Sequence, residues 1–168
     1  MTLNKIIIHW TAGGSIPNDV DRNHYHYMID SQGQLHTGKH KPEDNINCND
    51  GKYAAHTGGG NTGAIGVALC GMLGFKDKNN VGRFPLTQKQ VESALYFIAG
   101  LSLKYKIPVT PQSIMTHYEF GKANPKTSSA GKIDIIYLPP YPDVPADKIG
   151  DFLRGKIKWY QEKIKKGN

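Results

Sequence analysis

The chain has 168 residues, of which 38% are hydrophobic, 21% charged and 10% aromatic; these values fit one globular domain and exclude both a disordered chain and two comfortable domains. No stretch reaches the roughly 18 apolar residues that a membrane span needs, and Cys48 and Cys70 are too few to frame a disulfide-dense fold, so free thiols are expected. The net charge is +7, and it is uneven: Lys148 to Lys166 holds seven basic residues against Asp151 and Glu162, which suggests a polyanionic partner such as nucleic acid, anionic lipid or a phosphate-rich bacterial envelope.

Leu3 to His9 reads as a first strand, buried on both faces because Ile6, Ile7 and Ile8 are consecutive and β-branched. With Lys5 before it and His9-Trp10 after it, this run is too short for the hydrophobic region of a signal peptide. Synthesis as a cytoplasmic protein without an export signal is expected. Tyr25 to Ile29 and Gln34 to Gly38 flank the polar turn Asp30-Ser31-Gln32-Gly33, the pattern of a β-hairpin. Strict alternation would set Tyr25 and His26 on opposite faces. A loop from Lys39 to Lys52 and the glycine-rich His56-Thr57-Gly58-Gly59-Gly60-Asn61 precede an apolar strand, Ala64 to Leu69. Thr87-Gln88-Lys89-Gln90 is a capping box opening a helix, with Val91, Leu95 and Ile98 on one face until Ile107-Pro108 stops it. Ile114-Met115-Thr116 reads as a short strand delivering His117, and the stretch to Gly131 reads as loop. From about 146 to 166, Ile149, Phe152, Leu153, Ile157, Tyr160 and Ile164 recur at helical spacing, giving an amphipathic helix with a basic outer face. The expected architecture is therefore α/β: a single domain, 1–168, with a central, mostly mixed β-sheet flanked by α-helices.

His9 and His117 each end a strand, where sites tend to be built. With Asp134 they make two imidazoles and a carboxylate, a donor set that leaves the fourth tetrahedral position of zinc open. Such a metal acidifies water and polarises an amide carbonyl, as hydrolysis of a peptide-like bond requires. His24, His36 and His40 are assigned to structure or surface.

These segments resemble the type-2 amidases, the family of phage amidase endolysins, bacterial muropeptide amidases and animal peptidoglycan recognition proteins, over nearly the whole chain. Ile6-Ile7-Ile8-His9-Trp10-Thr11-Ala12-Gly13 resembles the family's first-strand motif, whose histidine is the first zinc ligand. Tyr25-His26-Tyr27-Met28-Ile29 with Gly33 resembles the "YHF-I-x-x-x-G" hairpin, whose leading tyrosine is catalytic, and the resemblance implies that role for Tyr25. Ala55-His56, Asn61 and Ala64-Ile65-Gly66-Val67 resemble the "AH…N…SIGV" segment lining the groove, which implies substrate contacts from His56 and Asn61, alongside Trp10 and Thr11. Thr116-His117-Tyr118-Glu119 resembles the "GHRD" strand end with the second zinc histidine. Lys132-Ile133-Asp134 resembles "K-x-D", which implies Asp134 as third ligand and Lys132 as oxyanion stabiliser. The family continues with Pro-Gly where this chain has Ile135-Ile136, and Glu119 is the nearest substitute carboxylate should Asp134 not bind.

The resemblance implies one Zn2+ per chain, in a surface groove at the sheet edge. It also implies cleavage of the amide between N-acetylmuramic acid and L-alanine. The lack of an export signal and the basic terminal helix point to a phage or prophage endolysin. Such an enzyme waits in the host cytoplasm and acts on peptidoglycan once the inner membrane is opened, with the helix touching the anionic envelope. A cytoplasmic muropeptide-recycling amidase and a non-catalytic peptidoglycan-recognition module are the alternatives. Nucleic-acid binding is not expected, because no motif for it appears, and a monomer is expected.

Overall fold

The computed structural model describes residues 2–167. Five strands form one mixed sheet in the order β3-β2-β4-β1-β5. They are β1 (Lys5–Trp10), β2 (Tyr27–Ile29), β3 (Leu35–Thr37), β4 (Ala64–Leu69) and β5 (Ile114–Thr116). β1 runs parallel to both β4 and β5, β2 runs parallel to β4, and only the hairpin partner β3 is antiparallel. The described residues also form four α-helices, α1 (Asp19–His24), α2 (Gln88–Tyr105), α3 (His117–Ala123) and α4 (Ile149–Lys165), and two short 3-10 helices.

The two faces of the sheet have different tasks. Ile6, Ile8 and Trp10 of β1, with Ile65, Val67 and Leu69 of β4, point to one side and pack on α2 and α4 in a single apolar core. That layer explains why β1 and β4 read as continuous apolar runs: strands of a parallel sheet are buried on both faces. The intervening residues Ile7 and His9 point to the other side, in register with Gly66 and Ala68 of β4. Small residues on this second face leave room for polar side chains to lie against the sheet.

Helix α2 begins as its capping box predicts, with Thr87 accepting from Gln90 N–H at 3.1 Å. It ends at Tyr105 on a left-handed Lys106, ahead of Pro108. Two helices depart from the sequence expectation. α1 is opened by a reciprocal Asn18–Asp21 capping box. α3 replaces the expected loop after His117, and Thr116 and Glu119 form its capping box. Cys48 and Cys70 are both free. No helix among the described residues is long and apolar enough to cross a membrane.

α4 is amphipathic, as its spacing predicts, but its basic residues are not all on the outer face. Arg154 is buried and donates to Ile114 O, to both oxygens of Glu119 and to Asp151. Gly150 makes space for this contact, because a Cβ there would sit 2.1 Å from Glu119 Oε2. The ion pair bolts α4 to β5 and to the first turn of α3, where His117 stands.

Candidate metal centre

Three side chains converge above the second face of the sheet, at the C-terminal ends of β1 and the edge strand β5. His9 comes from β1, His117 is the first residue of α3 directly after β5, and Asp134 lies in a turn of the long connection from α3 to α4. His9 Nδ1 is 3.1 Å and His117 Nδ1 3.4 Å from the same Asp134 Oδ2. Their candidate ligand atoms all lie within 4.8 Å of one another. Among the described residues this is the group able to hold a metal ion.

The electrostatics suit a cation. Burial pushes the His9 imidazole below its ordinary pKa, against the opposing hydrogen bond and charge of Asp134, so the ring favours the neutral form that ligates metals. Burial raises the Asp134 carboxyl, but hydrogen bonds and charge from His117 and His9 outweigh it and hold the group well below the usual carboxylate range. A neutral imidazole and an ionised carboxylate are what zinc takes as ligands, so the residues present fit the metal. Glu119, the substitute third carboxylate, is turned away: its oxygens are held by Arg154 at 2.9 Å and by Thr116 N–H at 3.0 Å.

The turn that delivers Asp134 has an unusual support. Ile135 adopts a left-handed backbone, φ 67°, while its side chain is buried in the core. A β-branched residue there is strained by about 1–3 kcal/mol, which its burial offsets. The chain thus turns at Ile135, directly after Asp134.

A groove of about 600 Å³ opens over the cluster, with walls that include Trp10, Thr11, His24, Tyr25, His56, Phe75, His117, Lys132, Ile133 and Asp134. Tyr25 is half-buried, its ring 5.1 Å from that of His9. Burial, reinforced by the nearby Asp134 and Asp21, raises the phenol well above its ordinary pKa, so its O–H keeps its proton and stays a donor. Strand alternation does not separate Tyr25 from His26: β2 starts only at Tyr27, and Tyr25 is the C-cap of α1. His26 instead packs on His56, ring centroids 5.6 Å apart.

The remaining predicted residues fall into two groups. Lys132 is exposed on the groove wall, Thr11 lines it while accepting from Gly13 and Gly71 N–H, and Trp10 lies at its base against Phe75. His56 lines the groove but is nearly buried, its Nδ1 3.1 Å from His9 Nε2. Gly66 provides the slot for this ring, since a Cβ there would meet His56 Cγ at 2.5 Å. Asn61 is not brought into the groove. It borders a separate depression, and its Oδ1 accepts from His56 N–H at 3.0 Å and Thr57 N–H at 2.8 Å. His24, read as structural or surface, also lines the groove, with its Nδ1 2.8 Å from Ala55 O, whereas sequence reading missed Ser129, fully buried with Oγ 2.9 Å from His117 Nε2. The Asn18–Asp21 box was a signal for the helix that carries His24; nothing local marks Ser129.

Fold and site together define an α/β protein with a groove over a cluster of side chains able to hold a metal ion. The chain belongs to the N-acetylmuramoyl-L-alanine amidase family, whose model, Amidase_2, matches residues 1–132. That match spans β1 to Lys132 and stops short of Asp134, so the third donor stands on geometry. Similar solved structures include the N-acetylmuramoyl-L-alanine amidase LysC from Clostridium intestinale URNW, at 19% identity over 70% of this chain and 71% of that one, TM-score 0.47. PlyL is 18% identical over 96% and 85% of the two chains, TM-score 0.49. Drosophila peptidoglycan recognition protein SD is 18% identical over 75% and 74%, TM-score 0.47. No curated protein sequence matches the chain.

Proposed function

We propose that this chain is a zinc-dependent peptidoglycan hydrolase that cleaves the amide between N-acetylmuramic acid and L-alanine. The observation that carries the reading is the convergence of His9, His117 and Asp134 in an open groove that also holds Tyr25 and Lys132, in a chain of the amidase family. His9, His117 and Asp134 would hold the ion. When bound, zinc supplies a Lewis acid that polarises the amide carbonyl and acidifies water.

The chain's own residues then have defined tasks. Tyr25, whose phenol remains protonated, donates a hydrogen bond that orients the attacking water and follows charge onto the tetrahedral carbon's oxygen. Lys132, exposed on the groove wall, offsets the oxyanion charge. Thr11 contacts the muramyl peptide from the groove wall, Trp10 and His56 lie nearly buried behind that wall and shape it, and Asn61 serves it by holding the His56 backbone.

The biological setting proposed is that of a phage or prophage endolysin, monomeric, made in the host cytoplasm and reaching the wall once the inner membrane is opened. The outer face of α4 supports an added contact with the anionic envelope. It exposes Lys158, Lys163, Lys165 and Lys166 beside Trp159, with the Lys163 ammonium 4.6 Å from the indole centroid. Purified cell walls treated with the enzyme should lose turbidity and release free L-alanine amino termini. A strong chelator should stop both, and added zinc should restore them. Release that persists without metal contradicts the proposal. Walls bound but left intact by the zinc-loaded protein would identify a recognition module instead, and a preference for soluble anhydro-muropeptides would identify a recycling enzyme.

A further inference from the structure

Each histidine of the cluster turns Nδ1 toward Asp134 and Nε2 toward a buried polar partner. Which nitrogen carries the proton follows from the far ends of these contacts. Both ends are backbone carbonyl oxygens, which only accept.

In the first chain of contacts, Ala64 O lies 3.2 Å from His56 Nε2. That nitrogen therefore carries the proton, and Nδ1 of neutral His56 is bare. The Thr57 hydroxyl, 2.7 Å from this Nδ1, donates to it. His56 Nδ1 and Thr57 Oγ1 are then both acceptors toward His9 Nε2, at 3.1 and 3.3 Å, so His9 donates. In the second, Gly58 O takes the hydroxyl proton of Ser129 at 2.7 Å. Ser129 Oγ in turn accepts from His117 Nε2–H at 2.9 Å. With Nε2–H engaged, Nδ1 is the nitrogen each ring has left for a ligand, and both Nδ1 atoms face one carboxylate oxygen. Two lone pairs and an anionic oxygen so arranged repel one another unless a cation lies among them, a proton shared with Asp134 in the metal-free protein or a metal ion in its place.

We infer that His56, Thr57 and Ser129 are positioning residues that fix the Nε2–H tautomer of His9 and His117, so that both rings present Nδ1 to the cation beside Asp134. This rests on the metal reading above. Both relays end on the one segment from His56 to Ala64, which Asn61 braces by accepting two of its N–H groups. A Cβ on Gly58 would sit 1.8 Å from Ser128 Oγ, so the glycine lets that segment close onto the loop carrying Ser129. The segment that reads as a substrate-lining loop thus also sets the direction of the ligand lone pairs.

Outer partners of metal-bound histidines contribute about 10–100-fold to metal affinity. Ser129→Ala and His56→Phe should each weaken zinc binding by about that factor in competition with a chromophoric chelator. His56→Gln, which keeps an acceptor for His9, should recover most of the loss. Long-range 1H–15N spectra of the zinc-loaded wild type should place the proton on Nε2 of both rings. In Ser129→Ala the His117 Nε2 proton alone should begin to exchange with water, a selective change that general loosening would not produce. Protons on Nδ1 in the zinc-loaded wild type, or Ser129→Ala binding zinc as tightly as wild type, overturn the inference. These readouts also decide it should His56→Phe fail to fold. A wild type that takes up no zinc overturns the metal reading and the relay with it, whereas a zinc-binding wild type with indifferent variants overturns the relay alone.

Discussion

Gly66→Ala isolates how the sheet makes room for the site. Gly66 sits in the middle of β4, fully buried, with a backbone that any residue adopts, so strand propensity alone predicts that alanine stabilises by about 0.5–1 kcal/mol. The structure predicts the opposite sign. A Cβ at this position would lie 2.5, 2.7 and 2.9 Å from three atoms of the His56 ring, roughly 1 Å inside ordinary contact distance. The ring cannot retreat freely, because its nitrogens are tied to Ala64 O, Thr57 Oγ1 and His9. Overpacking costs about 1–3 kcal/mol, and a disrupted buried hydrogen bond adds about 1 kcal/mol. Net of propensity, the loss is about 1.5–3 kcal/mol, or roughly 4–10 °C in Tm for a domain of this size. Urea unfolding with and without zinc measures it. A double-mutant cycle supplies the control: in a His56→Ala background the added methyl has free space, and Gly66→Ala should become neutral or stabilising. Equal stability of Gly66→Ala and wild type, or the same loss in both backgrounds, would refute the packing argument.

Other changes test separate parts of the account. Tyr25→Phe should lower wall-cleavage turnover by about 100-fold, the scale of losing one transition-state donor, with zinc content unchanged; an unaltered rate removes the assigned role. Stability should fall in mild acid in a way that His26 explains. Its Nδ1 accepts from Gly66 N–H at 2.9 Å and its Nε2–H donates to Asn45 at 2.9 Å, and burial lowers its pKa to about 4. The unfolded chain takes up this proton near pH 6.5 and the folded one only near 4. Stability is therefore full above 6.5 and falls by up to about 3 kcal/mol as pH drops through that window. His26→Gln should flatten the pH dependence of the urea midpoint, and an identical slope contradicts this. For the envelope contact, deleting α4 is the wrong test, because Ile149, Leu153 and Ile157 belong to the core. Lys158→Gln, Lys165→Gln and Lys166→Gln combined should instead slow lysis of permeabilised cells at low salt and not at high salt; equal slowing at both is the adverse result.

Much of the fold was legible because its core elements carry dense local signals. The unbroken Ile6-Ile7-Ile8 run and Ala64 to Leu69 read as strands because both faces are covered. The Thr87 box marks the start of α2 to the residue. α1 and α3 were missed although each begins with a capping box, Asn18–Asp21 and Thr116–Glu119. Both helices are too short to show an apolar period, so the cap was their only signal. The burial of Arg154 was hidden for a different reason: its partner Glu119 is far away in sequence, and at helical spacing an arginine reads as solvent-facing.

The site divides along the same line. His9 and His117 stand directly after apolar strand signals and could be picked out. Asp134 depends on Ile135 turning through a left-handed conformation that only core packing sustains, and no local rule expects a β-branched residue there. Tyr25 and His26 come to the same cluster because β2 begins later than its hydrophobic pattern suggests. Ser129 is one serine in a polar loop, and only the three-dimensional path of the chain brings its hydroxyl beneath His117.

The central claim is that His9, His117 and Asp134 hold one zinc ion. A crystal grown with zinc, with anomalous data collected across the metal's absorption edge, tests it most directly. The account predicts a single strong peak about 2.0–2.2 Å from Nδ1 of both histidines and from an Asp134 oxygen. A peak elsewhere, ligation through Nε2, or a third ligand other than Asp134 would contradict it.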